Sequence, residues 1–296
     1  MRSRAEAASG PAFALEISTK EFDYPRTLSF LRARAVPAIE RFGEDGFDRV
    51  LRIGADTRLL SVRATVTDGT VALTARTVPE RPFLDIQALI TRLFDLDADL
   101  VPFRRLARLD LVLRPLVTAR PGLRLVQILD PFEASVRAIL GQQVNVAAAS
   151  TMTSRVASAL GDPFADGLVA FPTPARIAEG GAAALQSLGI TKTKSRAIVE
   201  IAARSTDRRI DWETLRGASE AAVTEALTEV PGIGPWTAQY LQMRALSGRD
   251  ALPVRDLGLV RALNALGIAA RDHDAVTDRW RPWRGYAVLH LWSASA

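Results

Sequence analysis

The segment Val230-Pro231-Gly232-Ile233-Gly234-Pro235 leaves the chain few conformational options. Ala221 to Val230 reads as a helix with Ala222, Val223, Ala226 and Leu227 on one side, and the prolines and glycines that follow must end it abruptly. Gly232 and Gly234 permit backbone angles that other residues resist. Pro235 suits the first position of a new helix, where a missing N–H costs nothing. The expectation is helix, glycine turn, helix (221–246), with backbone N–H groups presented at a positively polarised helix N-terminus. Such a turn binds a phosphate without any charged side chain. A helical hairpin whose glycines merely allow close packing accounts for the same residues, so the segment alone leaves both readings open.

A carboxylate follows. Leu252-Pro253-Val254-Arg255 leads into Asp256, which suits the N-cap of a helix over Leu257 to Leu266. A cap needs no glycine turn upstream, so the pair together points to chemistry. An anionic aspartate beside a sugar that is gaining positive charge stabilises an oxocarbenium-like transition state, the logic of glycoside hydrolysis. In a partly dry pocket that attraction far exceeds its value in water.

Upstream, the pattern is of a different kind. Phe13, Leu15 and Ile17 alternate, as do Leu60, Val62, Ala64 and Val66, and the alternation resumes at Val71 after Asp68-Gly69, a strong hairpin signal. Helical spacing appears at Leu28 to Ile39 and at Ile86 to Leu96. The expected fold class is α+β: an antiparallel sheet with two helices over residues 12–100, preceded by a loose tail over 1–11, and an all-helical region over 101–296. Val101 to Leu125 reads as a connector rich in Arg, Leu and Pro. Asp130-Pro131-Phe132-Glu133 is a compact helix start, and the apolar stripe behind it breaks at Gly141 before Gln142 and Gln143. Pro163 to Pro174 reads as a loop between helical runs, and the last run is aromatic, with Trp280, Trp283, Tyr286 and Trp292.

Composition narrows the chemistry. The sequence has no cysteine, which excludes disulfides, thiolate metal sites and cysteine-ligated iron–sulfur clusters. A net charge of +5 favours a polyanionic partner. No run approaches the length of a membrane span, and a cytoplasmic setting is expected. His273 and His290 are too far apart for a familiar metal site, and His290 is expected to be a satisfied core histidine.

Several distant segments in order resemble the helix-hairpin-helix DNA glycosylase superfamily, in its alkyladenine-excising, AlkA-type branch. They are Phe30 to Val36, Ala119 to Leu125, Arg137 to Val144, Pro231 to Ala238 and Pro282 to Ala287, so the resemblance spans nearly the whole chain. It implies that Asp256 is catalytic and that an aromatic cleft receives a base flipped from double-stranded DNA containing damaged bases. Trp236 and Tyr240, four apart on one helical face, would line it with Trp292, Phe30 and Gln142. Cationic 3-methyladenine and 7-methylguanine would gain about 0.5–2 kcal/mol per ring contact. Gly232, Ile233, Gly234 and Thr237 would grip the DNA. Gln143 would fill the gap left by the flipped base, a departure from the apolar wedge of the best-known member type. The carbonyls of Thr228, Val230 and Gly232 match positions that hold a structural Na+ or K+ in the family, and no other cofactor is required. Trp236 stands where strand-cleaving members carry a Schiff-base lysine, which implies a monofunctional enzyme using water. A monomer is expected. Two alternatives stand beside this reading: a non-catalytic helix-hairpin-helix DNA-binding protein, and the same hydrolysis on deaminated, etheno or oxidised bases.

Overall fold

The computed structural model describes residues 13–54, 56–78 and 85–294; the expected tail over residues 1–11 lies outside them. The first unit is β1 (Phe13–Ser18), α1 (Tyr24–Arg32), β2 (Glu40–Phe42), β3 (Gly46–Ile53), β4 (Asp56–Thr67), β5 (Thr70–Val78) and α2 (Ile86–Phe94). The strands form one antiparallel sheet in the order β1-β5-β4-β3-β2. Asp68-Gly69 turns β4 into β5 with Thr67 opposite Thr70, as the alternation required. Leu60, Val62, Val71 and Leu73 therefore share a buried face, which packs with Leu28 of α1 and Ile90 and Phe94 of α2. α1 stops at Arg32 rather than running to Ile39. Pro37 disfavours helical angles at Val36, and Val36, Ala38 and Ile39 join the core of the helical region instead.

The remainder is helical. The stretch read as a connector holds α3 (Val101–Leu109) and α4 (Leu113–Ala119). Then come α5 (Pro131–Gly141), α6 (Val146–Leu160), a two-residue ladder between β6 (Asp162–Pro163) and β7 (Val169–Ala170), α7 (Pro174–Ser187), α8 (Lys192–Thr206) and α9 (Trp212–Arg216). The chain ends with α10 (Glu220–Thr228), α11 (Pro235–Ala245), α12 (Leu257–Ala265), α13 (His273–Asp278) and α14 (Arg284–Ala294). No described helix is long and apolar enough to cross a membrane.

α11 divides two helical cores. Ala238, Leu241 and Ala245 face the core built by α5 to α8 and α10, whereas Met243 faces the one built by α3, α4, α12 and α14. A helix buried on most sides has no polar stripe to mark its orientation. In the second core His290 is buried against Phe103, and burial pushes its imidazole down to about 4. Its Nδ1 is buried with no hydrogen-bond partner among the described residues, a departure from the expected satisfied core histidine.

A buried ionic network joins sheet to helices. Arg49 of β3 bridges Glu40 of β2 and Glu133 of α5, and Arg137 contacts both carboxylates and donates to the Arg34 carbonyl at 2.8 Å. Burial pushes the Glu133 carboxyl up, but Arg49 and Arg137 outweigh it and hold the group below the usual range. Breaking such a network strands a buried charge. Arg49→Met is expected to lower the unfolding free energy by about 3–5 kcal/mol, measured by urea denaturation. A loss below about 1 kcal/mol, the scale of an exposed pair, would show that the network does not hold the two regions together.

Candidate active site

The turn between α10 and α11 has the expected form. Gly232 sits at φ +94, and a Cβ there would lie 2.9 Å from the Ala197 Cβ of α8. Both the left-handed backbone and the close approach of α8 therefore require glycine. Gly232, Gly234 and Pro235 are exposed. Among the described residues, no acceptor takes the N–H of Gly234, Trp236 or Thr237. Ile233 and Thr237 face inward. Ile233 is 4% exposed and spends its N–H on the Val230 carbonyl, while the Thr237 hydroxyl accepts from Gln142. Thr237 can thus meet DNA only through its backbone N–H, and Ile233, expected among the DNA contacts, has neither a free N–H nor an exposed side chain.

Asp256 caps α12, accepting the Leu259 N–H at 2.8 Å through Oδ1. The same oxygen accepts the Trp292 indole N–H at 2.8 Å, and Oδ2 accepts that of Trp236 at 3.2 Å. Three N–H groups from α11, α12 and α14 thus orient one carboxylate. Gly258 permits this: a Cβ there would lie 3.0 Å from the Asp256 Oδ1 and 3.1 Å from the Trp292 indole.

Asp256, Trp236, Tyr240, Trp292, Gln142 and Gln143 line a single cavity of about 1180 Å³ between the sheet and the helices. Tyr240 stacks on Trp236 with centroids 5.3 Å apart and planes 16° from parallel. Phe30 does not line this cavity. Its ring instead carries the guanidinium carbons of Arg34 at 3.8 Å and Arg244 at 4.7 Å, so its π face is engaged by the protein's own cations. Arg34 and Arg244 line the cavity in its place.

Gln142 donates from Nε2 to the Gly232 carbonyl at 3.0 Å and to the Thr237 hydroxyl at 3.1 Å, tying the end of α5 to the hairpin. Lys194 fixes the same end from α8, donating to the Leu140 and Gln142 carbonyls at 2.8 Å each. Gln143 then stands exposed with φ +58 at the cavity mouth. Of the carbonyls expected to face a cation, Val230 accepts from Ile233 and Gly232 from Gln142, leaving each one lone pair. Among the described residues no group of three or more His, Cys, Asp or Glu side chains could hold a metal.

Sequence reasoning passed over Gly258, Lys194 and the two arginines. Arg34 lay inside a segment already singled out, and Arg244 extends the four-residue ridge of Trp236 and Tyr240 along α11.

Two family models match the chain: the AlkA N-terminal domain over residues 15–130, and the HhH-GPD superfamily base excision DNA repair protein over residues 136–284. The chain belongs to this family. It is 32% identical to DNA-3-methyladenine glycosylase 2 of Escherichia coli, over 92% of its own length and 93% of that protein. It is also 33% identical to a Mycobacterium tuberculosis protein described as a probable bifunctional transcriptional activator/DNA repair enzyme AlkA, matching over 99% of its own length but spanning 60% of that longer relative. A 3-methyladenine DNA-glycosylase from Archaeoglobus fulgidus shares the fold at a TM-score of 0.76, with 22% identity over 94% of this chain and 97% of that one. Within the family fold, the packing at Gly258 has a direct consequence. Gly258→Ala is expected to push the Trp292 indole away from Asp256 and move its N–H proton resonance upfield, with little change in the thermal unfolding midpoint. An unmoved resonance would show that the indole is held by something other than this close packing.

Proposed function

We propose that the protein is a monofunctional DNA glycosylase that hydrolyses the N-glycosidic bond of alkylated bases such as 3-methyladenine and 7-methylguanine, leaving an abasic site. The observation that carries this reading is Asp256, held by two indoles and a helix N-terminus at the wall of an aromatic cavity beside a phosphate-binding hairpin. The free N–H groups of Gly234, Trp236 and Thr237 bind a backbone phosphate and position double-stranded DNA without reading its sequence. The target nucleotide swings into the cavity, and Gln143 fills the stack it leaves. As the bond from the base to C1′ breaks, positive charge grows on the sugar and the Asp256 carboxylate stabilises it. Water then adds to C1′.

No lysine lines the cavity among the described residues, and the position of a Schiff-base lysine is taken by Trp236, whose indole is engaged with Asp256. Both features favour hydrolysis without strand cleavage. A structural Na+ or K+ would use the remaining lone pairs of Thr228, Val230 and Gly232, and no step runs through it. The enzyme acts as a cytoplasmic monomer.

Asp256→Asn keeps a cap oxygen for Leu259 but removes the charge. Release of free 3-methyladenine from methylated DNA should fall about 10²–10³-fold or more, while affinity for abasic-site DNA persists. Near-normal release by the variant would remove Asp256 from the mechanism. Borohydride is expected to trap no covalent complex with the wild-type enzyme, and a trapped complex would overturn the monofunctional assignment.

A further inference from the structure

The cavity is electrically polarised. Asp256 is bonded by Trp236 in the first turn of α11, while Arg244 lies eight residues further along that helix, about 12 Å by helix rise, where its guanidinium and that of Arg34 sit on the cavity wall against the Phe30 ring. Other charges on that inner wall cancel, because Arg49 and Arg137 are paired with Glu40 and Glu133. The exposed Arg255 and Arg261 add only positive charge to the lining. Among the described residues, neither Arg34 nor Arg244 has a carboxylate partner. Arg244 is 4% exposed, yet its one protein acceptor is the Val126 carbonyl, reached from Nε at 2.9 Å. Burial, with Arg34 and Arg137 nearby, pushes its guanidinium down to about 10, which leaves it cationic at neutral pH. A buried, uncompensated charge is costly, and Arg244, whose Nη groups have no hydrogen-bond acceptor among the described residues, lines the cavity that would receive the base.

We propose that Arg244, supported by Arg34, is a leaving-group residue: its positive charge stabilises the electron pair that the departing base carries away. The proposal rests on the glycosylase reading above. When the C1′–N9 bond breaks, both bonding electrons stay with the base. The water oxygen bonds to C1′ and gives its spare proton to solvent. A neutral lesion therefore departs as an anion, which then takes a proton from solvent, whereas a cationic N-methylpurine departs neutral. In both cases one unit of negative charge moves from the sugar end to the base end, in the sense that Asp256 and the arginines favour.

The two lesion classes differ in the ground state. A neutral base feels little from the guanidiniums before reaction, so their charge acts on the transition state alone. A cationic base is repelled on binding, and the repulsion is relieved as the bond breaks. Removing the charge should therefore slow both reactions but change binding only for the cation.

The test is single-turnover kinetics of full-length enzyme on duplexes carrying hypoxanthine (neutral) or 7-methylguanine (cationic), comparing wild type with Arg244→Met, Arg244→Lys and Arg34→Met. For hypoxanthine, Arg244→Met should lower the maximal rate about tenfold or more, the scale of one charge acting across a partly dry pocket, with half-saturation unchanged. For 7-methylguanine, rate and half-saturating concentration should fall together, leaving their ratio near the wild-type value. Arg34→Met, which gives up one hydrogen bond to the Phe30 carbonyl, should show the same split more weakly, and Arg244→Lys should restore most of the rate. Equal loss of the ratio for both lesions would mean that Arg244 only supports the pocket, and would overturn the proposal, as would unchanged rates. Release of neither base by wild type would overturn the glycosylase reading itself, a result distinct from any pattern among the variants.

Discussion

One carboxylate accepting three N–H groups fixes the geometry of this protein. Asp256 draws Leu259 from its own helix, Trp236 from the helix after the hairpin and Trp292 from the last helix. Each such bond to a charged acceptor contributes about 1.5–3 kcal/mol, but the larger consequence is spatial. The indole that borders the hairpin and the indole near the chain's end must converge on one point. The two helical cores that meet at α11 are what allow it, since α11 brings Trp236 and α14 brings Trp292. Gly258 completes the arrangement by leaving room where any side chain would push against the carboxylate and the indole.

A second constraint sets the opposite wall. The cavity needs the sheet as well as the helices, and an apolar seam alone would leave their relative position loosely specified. The buried Glu40, Arg49, Glu133 and Arg137 network supplies register, because each partner must meet the others in a fixed geometry or be left as an unpaired buried charge. Arg137 also reaches the Arg34 carbonyl, so the segment that carries Phe30 and Arg34 is tied into the same network.

What could be read from the sequence follows the range of each interaction. The Asp68-Gly69 hairpin, the Asp130 helix start, the glycine turn and the Asp256 cap are local, and each depends on residues a few positions apart. α3 and α4 were less legible, because proline and arginine break up short helices whose packing partners lie far along the chain. The inward orientation of Ile233 and Thr237 depends on which way the hairpin leans on α8, and no local pattern encodes that. Phe30, expected on the pocket wall, stands behind it instead. Its ring is covered by two guanidiniums, one from Arg34 in the turn after α1 and one from Arg244 in the distant α11.

That covering changes how the pocket must discriminate. A cleft walled by free aromatic faces would reward positively charged bases by cation–π attraction alone. Here Trp236 and Tyr240 are stacked on each other, Phe30 is engaged by Arg34 and Arg244, and net positive charge lines the inner wall. Ground-state attraction for a cation is correspondingly weak, so selectivity for N-methylated purines has to come from elsewhere. The lability of their glycosidic bonds provides it: a bond already weakened by alkylation breaks with modest assistance, and the field between Asp256 and the arginines assists any base that leaves with the bonding pair. Under the leaving-group role proposed for Arg244, the pocket acts on the charge movement common to all such departures and not on the shape of one lesion.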